Sequence, residues 1–170
     1  MIIPPEQSSF FLTLYKKILS ACSEHEPESY EEYVYARNEL YSDPEYLSEL
    51  VNHNAKSPAN IKSLIKSISL AKFQKYLYLK TLKKHSIFIA IDSQEVFCVL
   101  GLTDSLEDII PYKYAIVETA LLNYQNSIVC DGLISTIPIK LGPNMRKDYN
   151  AIYRESKMSK QLITSIVGGY

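Results

Sequence analysis

Few residues in this chain are of types and spacings that do chemistry. One carboxylate, Asp131, stands before a glycine in the run Ile128-Val129-Cys130-Asp131-Gly132-Leu133-Ile134. A carboxylate buried beside a substrate serves as a general base, and pairing with Glu118 would make a two-carboxylate site of hydrolase or nuclease type. Asp-Gly at a bend more commonly turns the carboxylate onto neighbouring backbone N–H groups, and the structural use is the one expected here. The sequence has no GxSxG elbow and no short Cys-His signature, so no catalytic residue beyond Asp131 is a candidate.

The other chemistries are poorly represented. His25, His53 and His85 stand alone, without an HExxH pair or an Asp-x-Asp loop, so no metal site is expected. Cys22, Cys98 and Cys130 are far apart, odd in number and flanked by apolar residues. That is the pattern of small buried hydrophobes, not of a disulfide framework. The sequence carries neither GxGxxG nor a GKS or GKT phosphate loop, and no cofactor is expected. Gly142-Pro143-Asn144 opens a helix with Arg146 and Lys147 in its first turns, which makes those two cations candidates for holding an anion.

Charge is the most informative pattern. Between Val51 and Ile91 there is no Asp or Glu, while Lys56, Lys62, Lys66, Lys72, Lys75, Lys80, Lys83 and Lys84 fall inside that span. Glu24 to Glu49 holds nine acids and one arginine, and Asp92 to Glu118 holds six acids and one lysine. A chain of net charge −1 is therefore polar in blocks. Lys72, Lys75, Lys80, Lys83 and Lys84, interleaved with Tyr76 and Tyr78, fit a nucleic-acid surface in which cations meet phosphates and rings stack on bases. The competing reading is self-complementation, with lysines forming solvated rims and weak exposed ion pairs. The block contains no arginine, the usual reader of base edges.

These residues need a scaffold, and the bulk properties describe one. A chain of 170 residues with 46% hydrophobic and 22% charged residues is expected to be one soluble globular domain. It buries roughly 70% of its unfolded surface. The first residues, MIIPPEQSS, lack the basic and apolar regions of a signal peptide, and no apolar run approaches a membrane span. A cytoplasmic location without membrane contact is the expectation.

The patterning divides the chain. Helices are expected over about Ser9–Ser23, capped by Ser8 or Ser9; from Ser29, where Ser29 and Glu32 make a capping box; from Asp43-Pro44; and from Ser57-Pro58. Their apolar stripes are Phe11, Leu14, Tyr15, Ile18 and Cys22; then Tyr30, Tyr33, Val34, Arg37, Leu40 and Tyr41; then Tyr46, Leu47, Leu50 and Val51; then Ile61, Leu64, Ile65 and Ile68. Near Lys72 the period shortens. Strands are expected over Phe73–Leu82, His85–Ile91, Glu95–Leu102, from Tyr114, over Ser127–Asp131 and over Leu133–Leu141, with a helical turn capped by Thr103-Asp104. Short connections make the first three an antiparallel meander. Gly132 is the expected bend and Pro138 marks an edge strand. A closing helix begins at Gly142-Pro143 with Met145, Tyr149, Ile152 and Tyr153 as its core face; the tail Gln161–Val167 is apolar enough to dock, as strand or as helix, and Gly168-Gly169 is expected to fray. The expected fold is α+β: a helical N-terminal half (1–71) packed on an antiparallel meander or small partly open barrel of five to six strands (72–142), closed by a C-terminal helix and tail (143–170).

Several blocks carry a family resemblance. Leu121-Leu122-Asn123-Tyr124 followed by the Ile128–Ile134 run resembles the "LLPF…IVYDGLL" phrase of an uncharacterised bacterial protein family. Some of its members bear a C-terminal zinc-binding SEC-C tail. Ala36–Val51, Leu82–Ala90 and Val99–Asp104 extend the likeness over most of the chain. Asn123 stands where the family phrase has proline and Cys130 where it has tyrosine, and no cysteine-rich segment follows residue 130, so the zinc role does not carry over. The resemblance implies the fold and a bacterial source but no reaction. Together these readings point to a non-enzymatic binding or adaptor protein whose partner is another protein, met through the strand edge near Pro138 or the tyrosine-rich second helix. Nucleic-acid association through the lysine block is the alternative, and an Asp131-centred hydrolase or nuclease the second alternative.

Overall fold

A computed structural model describes residues 1–166. The chain divides into two compact units, Pro4–Ala71 and the remainder, which joins Met1–Ile3 to the chain from Lys72 onward. The boundary falls at the change of hydrophobic period.

The first unit is helical. Helices α1 (Pro5–Ala21), α2 (Tyr30–Ser42), α3 (Pro44–His53) and α4 (Ala59–Ser69) follow one another, and each packs on the next. The Ser29–Glu32 capping box is present in both directions, and Asp43 caps α3 by accepting the Tyr46 N–H at 2.9 Å. Two expected caps give way to proline. α1 starts four residues earlier than expected, at Pro5, and α4 starts after Pro58 with no side-chain cap. Proline at the first helical position gives up only an N–H that is unpaired there in any case and has a helical φ already, which lets Pro5 open α1 without a side-chain cap. Ser8 instead lies inside the first turn and its hydroxyl donates to the Pro5 carbonyl. The unit buries Phe11, Tyr15, Ile18 and Leu19 of α1, Ala36, Arg37 and Leu40 of α2, and Leu64, Ile65 and Ile68 of α4. Tyr30 departs from its expected stripe and is exposed.

The second unit is a six-stranded mixed sheet that closes on itself. Strands β1 (Lys72–Thr81), β2 (Ser86–Ala90) and β3 (Val96–Leu100) form the antiparallel meander. A short helix, α5 (Leu106–Ile109), leads to β4 (Ala115–Tyr124), which turns back into β5 (Ser127–Cys130). β4 pairs antiparallel with β1 over Ala115–Leu121 and with β5 over Leu121–Tyr124, while β5 runs parallel to β3. The ring β1-β2-β3-β5-β4-β1 is thus closed by hydrogen bonds, but unevenly, since β5 meets β3 only at Val99 and Leu100.

The rest of the chain completes that uneven seam. Ile163 takes the edge of β3 that β5 does not reach, donating its N–H to the Val96 carbonyl at 2.8 Å and accepting the Cys98 N–H at 2.9 Å. The side chain of Asn123 then holds the backbone of Ile166 through both its amide nitrogen and its oxygen. The part of the tail expectation that falls on Val167 and Gly168-Gly169 lies outside the described residues. β6 is Ser135–Ile137 alone, on the part of β4 that β5 leaves open. The longer Leu133–Leu141 strand does not form, because Pro138 has no N–H to continue a ladder and Ile139 turns back to bond the Ile137 carbonyl.

Both faces of the sheet are buried, which strand alternation makes legible. Tyr76, Tyr78, Phe88, Phe97, Val99, Val117, Leu121 and Ile128 point into the ring. Leu77, Leu79, Ile87, Ile89, Val96 and Cys98 point outward and are covered by α6 (Pro143–Met158) through Tyr149, Ile152 and Tyr153. A bulge between Tyr78 and Lys80 lets Leu79 and Lys80 both serve the outer side. Met145 of α6 stays exposed.

Candidate functional site

Each candidate residue has a definite place. Asp131 is 1% exposed. Its Oδ1 accepts the Thr119 hydroxyl at 2.9 Å and the Leu133 N–H at 3.0 Å, and the Asp131 N–H bonds the Ala120 carbonyl of β4. The carboxylate therefore braces the bend at Gly132, whose φ of 84° is open to glycine and strained for other residues. Glu118 does not join it. Thr119 presents the face that meets Asp131, so its neighbour Glu118 projects from the opposite face of β4. The two-carboxylate site is not assembled.

The lysine block does not gather on one face. Lys72 is bound to Glu95 at 3.2 Å and lies over the Phe97 ring, while Lys75 stands opposite Glu118 in the β1–β4 register. Lys80 sits beyond the bulge with its ammonium 4.5 Å from the centre of the Tyr153 ring. Lys83 and Lys84 are exposed in the β1–β2 turn. At ~3.3 Å per residue, that turn is roughly 30 Å from Lys72. Tyr76 and Tyr78 are corrected outright as base-stacking rings. They lie inside the barrel at 0% and 2% exposure, packed edge-to-face on Phe88 and Phe97. Burial pushes both phenols above their ordinary range. The two anion candidates are engaged differently. Arg146 donates from Nε to the Leu141 carbonyl and lies over the Tyr114 ring, while Lys147 is exposed.

The outer face of β2 and β3 is apolar and covered by α6. No protein-family model, curated protein or solved structure matches this chain. The family likeness noted above therefore rests on its own residues.

Open concave surface is found in the helical unit, where residue-by-residue scanning for catalytic motifs does not look. Two clefts border the α1–α2 connection and share Ser23, Glu24 and His25 in their walls. One, of about 480 Å³, is walled by Lys16 and Lys17 of α1, by Tyr33 of α2 and by Glu24 and Glu26 of the connection, so cations and carboxylates are balanced in its walls. The Lys16 ammonium lies 5.6 Å from the centre of the Tyr33 ring, which fixes where that charge stands. The other, of about 430 Å³, is walled by Cys22, Glu31, Glu32, Tyr35 and Glu39. Glu31, Tyr35 and Glu39 recur every fourth residue, so one stripe of α2 roughly 12 Å long faces this cleft. Tyr35 is 66% exposed, the most open aromatic ring among the described residues.

The electrostatics of the second cleft are uneven in kind. Glu32 is engaged by the backbone N–H groups of Glu28 and Ser29, which hold its carboxyl below the ordinary range, with a smaller contribution from His25. Glu31 and Glu39 are exposed. The carbonyl end of α1 borders the cleft with no basic residue in its last turn, adding a negative partial charge. Burial raises the Cys22 thiol and outweighs the opposing effect of its hydrogen bond with Tyr46, so its nucleophilic form is disfavoured. Cys22 is thus part of a wall and unsuited to attack. The sequence signal that touched this region was the tyrosine-rich helix; the clefts themselves left no local pattern.

Proposed function

We propose that this protein is a non-enzymatic binding module whose partner is another protein, taken at the α1–α2 clefts of the helical unit. The observation that carries the reading is the open pair of charged clefts beside Tyr35, an exposed ring on an ordered helix. Tyrosine supplies large contact area at low entropic cost and is enriched where proteins meet. The chain's most suggestive carboxylate, Asp131, lies in neither cleft.

The strand edge near Pro138 supports this role less well. β6 is three residues long and ends at proline, both features that blunt a sheet edge against pairing. The separation of Lys72 from Lys83 and Lys84, and the interior position of Tyr76 and Tyr78, weigh against the nucleic-acid alternative.

The test is partner retention by the full chain. A protein that co-purifies with the wild type is expected to be lost from Tyr35→Ala/Glu39→Lys, with unchanged circular dichroism. A Lys83→Glu/Lys84→Glu chain should keep it. The reverse pattern would transfer the function to the barrel, and salt-sensitive retention of RNA or DNA by the wild type in place of a protein would favour the alternative.

A further inference from the structure

The part of the β3 edge that β5 leaves open is filled by the chain itself. After α6 the backbone turns at Lys160, whose φ is 58°, and passes alongside β3 in a single parallel bridge between Phe97 and Ile163. Val96 and Cys98 bond the Ile163 backbone at 2.8 and 2.9 Å. The Asn123 side chain grips Ile166, accepting its N–H at 2.7 Å and donating to its carbonyl. All four bonds go to backbone atoms of the tail, so they read no side chain. The side chains supply a pattern instead. Leu162 packs on the outer cluster, Ile163 and Ile166 pack on the inner one, and Thr164 and Ser165 are exposed. Backbone bonds along a sheet edge, with apolar seats for particular side chains, are how a sheet takes up a peptide as an added strand. The ring closes without the tail, through β5 on β3 and β4 on β1.

We infer that the β3 edge and Asn123 form a docking groove for an extended segment of a partner protein, and that the tail is the latch occupying it. The segment carries two adjacent aliphatic residues and a third three positions after the second, as Leu162, Ile163 and Ile166 do. A short tether places the tail at an effective concentration on the order of millimolar. A partner's segment therefore gains the groove where it is presented at comparable concentration or binds more tightly. The Gln161 N–H bonds the Ser156 carbonyl of α6, which leaves Leu162 alone as tether ahead of Ile163, too short to span two copies of the chain. This groove lies on the barrel and stands independently of the α1–α2 clefts.

The test reads latch and groove separately on the full chain. By NMR, the amides of Cys98, Ile163 and Ile166 should exchange with solvent together. Their exchange should be at least about tenfold faster than that of the amides pairing β1 with β4, because a locally held segment opens without global unfolding. Asn123→Ala should speed it further. A fluorescein-labelled synthetic peptide, SKQLITSI, copies residues 159–166. It should bind Ile163→Ala/Ile166→Ala about tenfold more tightly than the wild type, whose own tail competes. Adding Asn123→Ala should undo that gain, and a peptide with serine for its Leu and Ile residues should bind neither chain. Circular dichroism checks each variant; where one is unfolded, binding of the peptide to the wild type at millimolar concentration decides in its place. Tail amides that exchange no faster than the β1–β4 amides make the tail a fixed strand and overturn the inference. Fast exchange without peptide binding overturns it too. Dimers that grow with chain concentration and are lost in Ile163→Ala/Ile166→Ala would make a second copy the occupant, which also overturns it.

Discussion

Replacing Asp131 by alanine discriminates between a brace and a catalyst. The side chain is 1% exposed and its Oδ1 accepts from the Thr119 hydroxyl and the Leu133 N–H. Truncation leaves both donors inside the protein without that acceptor. Hydrogen bonds to charged groups contribute roughly 1.5–3 kcal/mol each, and a buried donor left unpaired costs about 1–3 kcal/mol. Allowing for partial relaxation, Asp131→Ala is expected to lose about 2–5 kcal/mol, a large share of the ~5–15 kcal/mol of a typical domain. Asp131→Asn keeps an acceptor oxygen in place and should lose less than half as much. Urea denaturation followed by tyrosine fluorescence reads this directly, since the chain has 14 tyrosines and no tryptophan. With a slope of about 2 kcal/mol/M, the alanine midpoint falls by roughly 1–2.5 M. An alanine variant within about 0.5 kcal/mol of wild type would refute the brace and return Asp131 to the list of functional candidates.

Three further outcomes follow from single contacts. Ser29→Ala removes the reciprocal cap of α2 and should cost the helical unit about 1 kcal/mol, read as a lower midpoint by far-ultraviolet circular dichroism; no change would mean that the cap is redundant. Gly101→Ala places a Cβ 2.0 Å from the Asp104 carbonyl oxygen, beside the bridge that Gly101 makes with Ile2, and should destabilise the barrel by about 1–3 kcal/mol in the same assay. Burial, helped by the hydrogen bond with Cys22, pushes the Tyr46 phenol up to about 12. A raised phenol favours the neutral form in the fold, so its stabilisation is complete below pH 10 and is lost as pH climbs from 10 to 12. Tyr46→Phe should make the alkaline unfolding curve shallower in that window, and an unchanged curve would contradict the assignment.

Legibility differed by element for physical reasons. Helix starts were readable at Ser29, Asp43, Pro58 and Gly142, within a residue, and misplaced at Pro5, where Pro4-Pro5 opens α1 ahead of the expected serine caps. The apolar stripe of α2 correctly included Arg37, which is wholly buried and donates to Asn38, although its charge argues for the surface. The meander was legible because short turns admit only antiparallel neighbours. The parallel closure of β3 on β5 was not, since it joins strands far apart in sequence and leaves no local pattern. The Gln125-Asn126 turn, with both residues at positive φ, followed from its residue types. Tyr114 at φ 65° did not. Its backbone N–H bonds the Tyr78 carbonyl and its hydroxyl accepts from Asn150, so contacts distant in sequence hold a conformation that tyrosine seldom adopts alone.

Charge reads differently in the two units because a strand and a helix distribute neighbours differently. Along β1, Lys72 has the parity of the inner face and Lys75 that of the outer, the bulge after Tyr78 puts Lys80 on the outer face too, and the rise of ~3.3 Å per residue carries the ends of the block apart. A dense linear block thereby becomes separate local contacts: Lys72 with Glu95, Lys80 with Tyr153, and Lys83 with Lys84 at a turn. Along α2, the fourfold spacing of Glu31, Tyr35 and Glu39 collects residues on one stripe with a rise of only ~1.5 Å each. Ten charges in the 26 residues Glu24–Glu49 match the density of five lysines in the 13 residues Lys72–Lys84, so the element and not the linear density decides which surface is concentrated. Block composition favoured the lysines as a site, while element geometry favours α2. An isolated charge at helical period is the stronger pointer to a surface whenever the competing block falls on a strand that is buried on both faces.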